Sequence, residues 1–142
     1  MYFGLSEEQS FFKDNVKKYL EDNASLDQIR KIASGDETGI SKEIHQGFLN
    51  LGVNGLLVAE EFGGLGLDLL FATAVSESLG VCIGPVPYIA PYVMAPTAIM
   101  AAGNQEQREN YLTKIASNKI LVGVGFSEFI GSRNDAGLTF AD

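Results

Sequence analysis

Apolar residues recur at helical spacing along most of the chain. The first such stretch follows a capping box that Ser6 and Gln9 can form. Its apolar positions lie three or four residues apart, which predicts an amphipathic helix with one buried stripe: Phe12, Val16, Tyr19 and Leu20. The same criteria predict a short second helix over residues 25–32 that stops near Gly35. They also predict a third helix that begins at Ser41 and has one apolar face: Ile44, Phe48 and Leu51.

A glycine-rich segment, residues 51–68, separates the third predicted helix from the fourth. Its sequence is LGVNGLLVAEEFGGLGLD. Glycines at this density allow positive φ angles and close approach of the backbone, which predicts a tight turn between helices. The segment lacks the third glycine of G-x-G-x-x-G, so a dinucleotide-binding fingerprint is not expected. The carboxylates of Glu60 and Glu61 are expected on the surface.

Residues 69–119 carry the remaining predicted helices. Asp68 can cap a helix over residues 69–79, which is apolar nearly all round and is therefore expected to be buried on most sides. Residues 81–103 are uncharged, but glycine and prolines interrupt the continuous apolar run of about 20 residues that a membrane span needs. A core helix over residues 89–102 and a last helix capped by Asn104 are expected instead. The pattern predicts an all-α fold, a bundle of about six helices.

The pattern changes near the end of the chain. Residues 120–126, ILVGVGF, form a β-branched run that predicts a strand. We therefore divide the chain into a helical domain, residues 1–119, and the incomplete start of a β-domain, residues 120–142. A strand without neighbours is unstable, so this second part is expected to pair with another copy of the chain or to fold back on the helices. A homo-oligomer is the expected assembly.

Composition excludes several functions. The net charge is −8 and only 10 lysines and arginines are present, so nucleic acid is not an expected partner. With 1 histidine and 1 cysteine, the chain can assemble neither a zinc site nor a Cys-His or Ser-His-Asp arrangement. His45 is expected to be solvated. The first residues show no secretory or organellar signal pattern, so a cytoplasmic location is expected.

Four segments resemble one known family. They are LSEEQ at residues 5–9, the glycine-rich segment at residues 51–68, ESLG at residues 77–80 and GNQEQRENYL at residues 103–112. In this order they resemble motifs of the acyl-CoA dehydrogenase family. The resemblance implies an N-terminal helical domain, a middle β-domain and a C-terminal four-helix bundle. This chain would be a truncated member that stops just after entering the middle domain.

The resemblance also implies a reaction. Family members use FAD to oxidise an acyl-CoA thioester to the trans-2-enoyl-CoA, and a carboxylate in the C-terminal domain removes the α-proton. No residue of this chain corresponds to that base, so no catalytic residue is assigned, and no metal is expected. The chain alone is expected to be inactive. Its acyl substrate and electron acceptor are not assigned.

Site residues follow from the same resemblance. Phe126 and Ser127 correspond to flavin-contacting positions, and Ser132 to a position near the substrate thioester. One wall of the acyl cavity corresponds to Tyr88, Ala90, Pro91 and Met94, with a place in the helical core as the alternative for these four. Two other functions stay open: an acyl-CoA oxidase or flavin monooxygenase on the same scaffold, and a non-catalytic helical interaction module.

Overall fold

The chain folds into a helical bundle, as the apolar pattern predicts. The computed structural model describes residues 4–35 and 41–125. When contiguous pieces are joined, these residues form six helices and no strand. They are α1 (Glu7–Asn23), α2 (Leu26–Ser34), α3 (Lys42–Leu49), α4 (Leu69–Cys82), α5 (Ala95–Ala102) and α6, which runs through Gln105–Gln107, Arg108–Leu112 and Thr113–Ala116. A single 3₁₀ turn, Glu60–Phe62, lies before α4, and a π-helical turn, Ile89–Met94, leads into α5.

Side chains that cap helix starts set most of these boundaries, and every predicted cap among the described residues is confirmed. The hydroxyl of Ser6 accepts from the Gln9 N–H at 3.1 Å, while the Gln9 carboxamide accepts from the Ser6 N–H at 2.9 Å. Each bond satisfies a backbone donor that the first helical turn leaves free. Ser25 and Asn104 begin α2 and α6 with the same reciprocal box, and Ser41 and Asp68 accept from backbone N–H groups in the first turns of α3 and α4. No side chain of the described residues caps the start of α5.

The core is formed by side chains from α1, α3, α4 and α6, together with side chains from the glycine-rich segment and from residues 88–92. Helix α1 packs along α4, and the Ser78 hydroxyl of α4 donates to the Lys13 carbonyl of α1 at 3.1 Å. An ion pair of 2.7 Å between Lys13 and Glu77 lies at the edge of the same contact. The fully buried side chains include Val16, Leu20, Phe48, Leu56, Val75, Tyr92, Leu112 and Ile115.

Helix α4 is less buried than its sequence predicts. The expectation of burial on most sides is wrong for the described chain, since Leu69 is 58% exposed and Val81 is 65% exposed. Only the face that meets the core, which carries Ala72 and Val75, is covered. Helix α1 makes the most extensive contact with this helix, and Tyr88 also contacts it at Ala72. The apolar side chains on its other faces, such as Leu69 and Leu70, lie on the surface of the described part.

Residues 120–125 form neither helix nor strand. The predicted strand over residues 120–126 is therefore not formed in its described part, because no described segment makes a β-ladder with it and a strand needs a hydrogen-bonded neighbour. Ile120 and Val122 instead pack, partly buried, against the helical core. The division of the chain at residue 120 stays a prediction.

Candidate functional site

The glycine-rich segment folds back on itself as a backbone-bonded loop. The N–H of Leu65 donates to the Gly55 carbonyl at 2.8 Å, and the N–H of Gly66 donates to the Val58 carbonyl at 2.8 Å. Gly63 and Gly66 adopt positive φ angles of 83° and 61°. At Gly64, a Cβ atom would overlap the Val58 carbonyl. The close backbone approach predicted for this segment is confirmed.

A buried side chain ties this loop to the last helix. Asn54 is 6% exposed, and its Nδ2 donates to the carbonyls of Ile115 at 3.2 Å and Ala116 at 2.6 Å. Both carbonyls lie at the C-terminus of α6, where helices leave acceptors without an intrahelical partner. Sequence reasoning missed this contact, because nothing in the local pattern links residues 62 positions apart.

The predicted acyl-wall residues lie in and just before the π-helical turn, here named the wide turn (Ile89–Met94). Tyr88 and Pro91 are buried in the core, whereas Ala90 and Met94 are partly exposed. The Tyr88 ring meets Phe48 edge-on with centroids 5.9 Å apart, and its hydroxyl donates to the Ala72 carbonyl at 3.4 Å. Burial raises the pKa of Tyr88, so its phenol stays protonated.

The wide turn arises where prolines remove backbone donors. Pro91 lies in its first turn, where a missing N–H costs little. Pro96 follows it and cannot donate to the Tyr92 carbonyl one turn earlier. The Ala95 N–H donates to the Ala90 carbonyl, five residues back, where an α-helix would use the Pro91 carbonyl. Such π turns occur frequently at functional sites.

His45 joins the wide turn to α3. Its Nε2 lies 3.1 Å from the Tyr92 hydroxyl, and the two rings stack with centroids 6.2 Å apart. The expectation of a solvated His45 is therefore wrong: the imidazole is partly buried, and that burial lowers its pKa. Burial also raises the pKa of Tyr92 to about 12, which keeps its phenol neutral.

We expect acid to destabilise the wild-type protein more steeply than a His45→Gln variant. Burial holds the pKa of His45 in the folded state below its usual value of 6.5, so between those two values the unfolded chain binds more protons. The stability that neutral His45 contributes to the folded protein is present above about pH 6.5. It is lost as the pH falls through the pKa that His45 has in the folded state. Melting temperatures measured from about pH 7.5 to about pH 5 test this. Because the chain has 1 histidine, parallel profiles for the two proteins would contradict it.

Four shallow clefts line the described surface, with volumes of about 310, 290, 330 and 280 Å³. They lie at or below the lower end of the range for small-ligand sites, about 300–1,000 Å³, and none of these four fits a dinucleotide flavin. The predicted flavin contacts Phe126 and Ser127, and the predicted substrate contact Ser132, lie outside the described residues.

No cluster of three or more His, Cys, Asp or Glu side chains could hold a metal ion in the described ranges. Among the described helices, none combines the length and hydropathy of a membrane span.

Comparison with known proteins identifies the family. The sequence model for "Acyl-CoA dehydrogenase, N-terminal domain" matches residues 6–119. Isovaleryl-CoA dehydrogenase, a mitochondrial protein of Bos taurus, is 31% identical over 127 residues, which cover 88% of this chain and 30% of that protein. A (2S)-methylsuccinyl-CoA dehydrogenase of Cereibacter sphaeroides is 32% identical over 130 residues, covering 88% of this chain and 23% of that protein. The chain therefore spans less than a third of the length of these relatives.

Solved structures show the same fold. Butyryl-CoA dehydrogenase from Megasphaera elsdenii superposes with a TM-score of 0.76 at 24% identity, over 96% of this chain and 36% of that chain. The match to a family model over most of the chain settles its membership. The chain belongs to the acyl-CoA dehydrogenase family, and residues 6–119 match the model of that family's N-terminal domain.

Proposed function

We propose that this domain works within a flavin-dependent acyl-CoA dehydrogenase, which oxidises an acyl-CoA thioester to the trans-2-enoyl-CoA. The observation that supports the proposal most strongly is the family match over residues 6–119. In this proposal the catalytic base and most of the FAD site come from parts of the protein outside the described residues. When bound, FAD accepts the hydride. The domain itself contributes one wall of the acyl site.

The uncharged surface of the segment 89–102 supports that role. This segment contains no charged residue, although 20% of the chain is charged. Several of its residues nevertheless reach the surface of the described part, and those that are largely exposed are Ile89, Thr97, Ala98, Ala101 and Ala102. Small and apolar side chains, together with the partly exposed Met94, suit contact with an acyl chain, because they exclude water and adapt to its shape. Tyr88 and Pro91 would support this wall from the core side.

The other members of the proposed site are Phe126 and Ser127 toward FAD and Ser132 toward the substrate. We also propose that the protein is a homo-oligomer and that it works in the cytoplasm. The bovine relative, by contrast, is a mitochondrial protein, and fractionation of the source cells separates the two locations. An oxidase or monooxygenase would differ in rapid reaction of its reduced flavin with oxygen, which stopped-flow spectroscopy distinguishes.

The 142-residue chain, purified by itself, should neither retain FAD nor oxidise acyl-CoA. A flavin site needs several walls, and four clefts on the described residues, of about 280 to 330 Å³, are each too small for a dinucleotide flavin. Flavin absorbance after purification, and dye reduction with acyl-CoAs of several lengths, measure the two properties. Stoichiometric flavin, or turnover above the level of a heat-treated sample, would show that this chain holds a complete site.

A further inference from the structure

Two tyrosines tie the wide turn to two different helices. Tyr88, just before the turn, and Tyr92, inside it, are 4% and 1% exposed. The hydroxyl of Tyr88 donates to the carbonyl of Ala72 on α4 at 3.4 Å. The hydroxyl of Tyr92 lies 3.1 Å from Nε2 of His45 on α3. The turn is therefore fixed from the core side by side-chain hydrogen bonds as well as by packing.

The positions of residues in the wide turn depend on its π-helical hydrogen bonding, which these two side-chain bonds help to hold. The Ala95 N–H donates to the Ala90 carbonyl five residues back, where an α-helix would use the residue four back. Relaxation to α-helical spacing would rotate the residues on one side of the turn by about 100° relative to those on the other. Ala90 and Met94 lie at the two ends of that rearrangement, and both are partly exposed. The hydrogen bonds of Tyr88 and Tyr92 therefore help to fix the positions of Ala90 and Met94 at the surface.

We propose that His45 and Tyr92 form a positioning pair that holds the wide turn and thereby sets the shape of the acyl-facing wall. The pair acts through Ala90 and Met94, since Tyr92 itself is buried. It therefore selects among acyl chains of different length without touching the reacting atoms. This inference rests on the proposed function, because the wall has a substrate only if the protein binds acyl-CoA.

The first test follows the wall in the 142-residue chain by ¹³C-methyl NMR of methionine. Tyr92→Phe keeps the aromatic ring but removes the hydroxyl, so movement of the Met94 methyl resonance reports a change in the turn. The matched control is Tyr19→Phe, which removes a bond of 2.9 Å to the Ile44 carbonyl, also on α3. We expect a shifted or broadened Met94 resonance in Tyr92→Phe and in His45→Leu, and none in Tyr19→Phe. In His45→Gln, the carboxamide can again bond to the Tyr92 hydroxyl, so the Met94 resonance should lie closer to its wild-type position than in His45→Leu.

Helical circular dichroism first establishes that each variant folds. If Tyr92→Phe does not fold, the comparison of His45→Leu with His45→Gln alone decides whether the pair positions the turn. A Met94 resonance that stays in place without the His45–Tyr92 bond, or that moves equally in Tyr19→Phe, would overturn the positioning role.

The second test measures acyl-chain-length selectivity in the protein expressed from its whole gene, as wild type and as variants. Tyr92→Phe should change the ratio of kcat/KM between long and short acyl-CoAs by about two- to tenfold, the range that corresponds to one neutral hydrogen bond. In Tyr92→Phe we expect KM to change while kcat stays nearly constant. In Tyr19→Phe we expect the selectivity ratio to stay as in the wild type. An equal loss for every chain length would overturn the selectivity role. A native protein without acyl-CoA oxidation would overturn the proposed function and this role with it, while the NMR comparison would still decide whether the pair positions the turn.

Discussion

Replacing Gly64 with alanine should lower the free energy of unfolding by about 2–4 kcal/mol. A Cβ at this position would overlap the backbone carbonyl of Val58, which cannot turn away as a flexible side chain can. That carbonyl also accepts the 2.8 Å hydrogen bond from the Gly66 N–H. Relief of the overlap therefore costs backbone bonds that close the loop. Urea unfolding followed by circular dichroism measures the difference.

Gly80→Ala is the matched control for this prediction. Gly80 lies in α4, and a Cβ there would meet nothing within 4 Å. Alanine is favoured over glycine in a helix by up to about 1 kcal/mol, so this variant should be slightly more stable than the wild type. If both glycine variants change stability by similar amounts in the same direction, the close approach at Gly64 is not what stabilises the loop.

Phe48→Ala should destabilise the protein by about 3–5 kcal/mol. The side chain is fully buried and contacts Tyr88 edge-on, so truncation removes apolar contacts and leaves a cavity between α3 and the residue before the wide turn. Leu79→Ala should cost less, since Leu79 is only partly buried at the edge of the core. Thermal and urea unfolding give the order of the variants.

Glu60→Ala serves as the surface control for Phe48→Ala. Glu60 is exposed, and surface substitutions commonly change stability by no more than about 0.5 kcal/mol. Equal losses for Phe48→Ala and Glu60→Ala would contradict the assignment of the core face of α3.

Local signals in the sequence predicted helix starts well, because each cap depends on two or three neighbouring residues. Ser6, Ser41, Asp68 and Asn104 all cap the helices that they were expected to cap, and Ser25, expected as the first residue of the second helix, is its N-cap. Burial was harder to predict, because it depends on what packs against a helix. The apolar composition of α4 does not reveal which of its faces meet a neighbour, and Leu69 lies on a face that the described residues leave exposed.

For the candidate site, too, the sequence predicted the local features but not the long-range contacts. Motifs identified the family and placed Tyr88, Ala90, Pro91 and Met94 in one short segment, and the structure gives that segment an unusual backbone. The partners of this segment were not predictable from sequence. His45 reaches Tyr92 across 47 positions, and only the crossing of α3 with the wide turn brings them together.

The most direct test of the account is the isolation of the native gene product from its source cells, with an antibody against the described domain, and measurement of its flavin spectrum without oxygen. We predict a protein that carries bound FAD, whose absorbance bleaches when an acyl-CoA of suitable length is added. A colourless native protein, or a flavin whose spectrum no acyl-CoA changes, would contradict the proposed function.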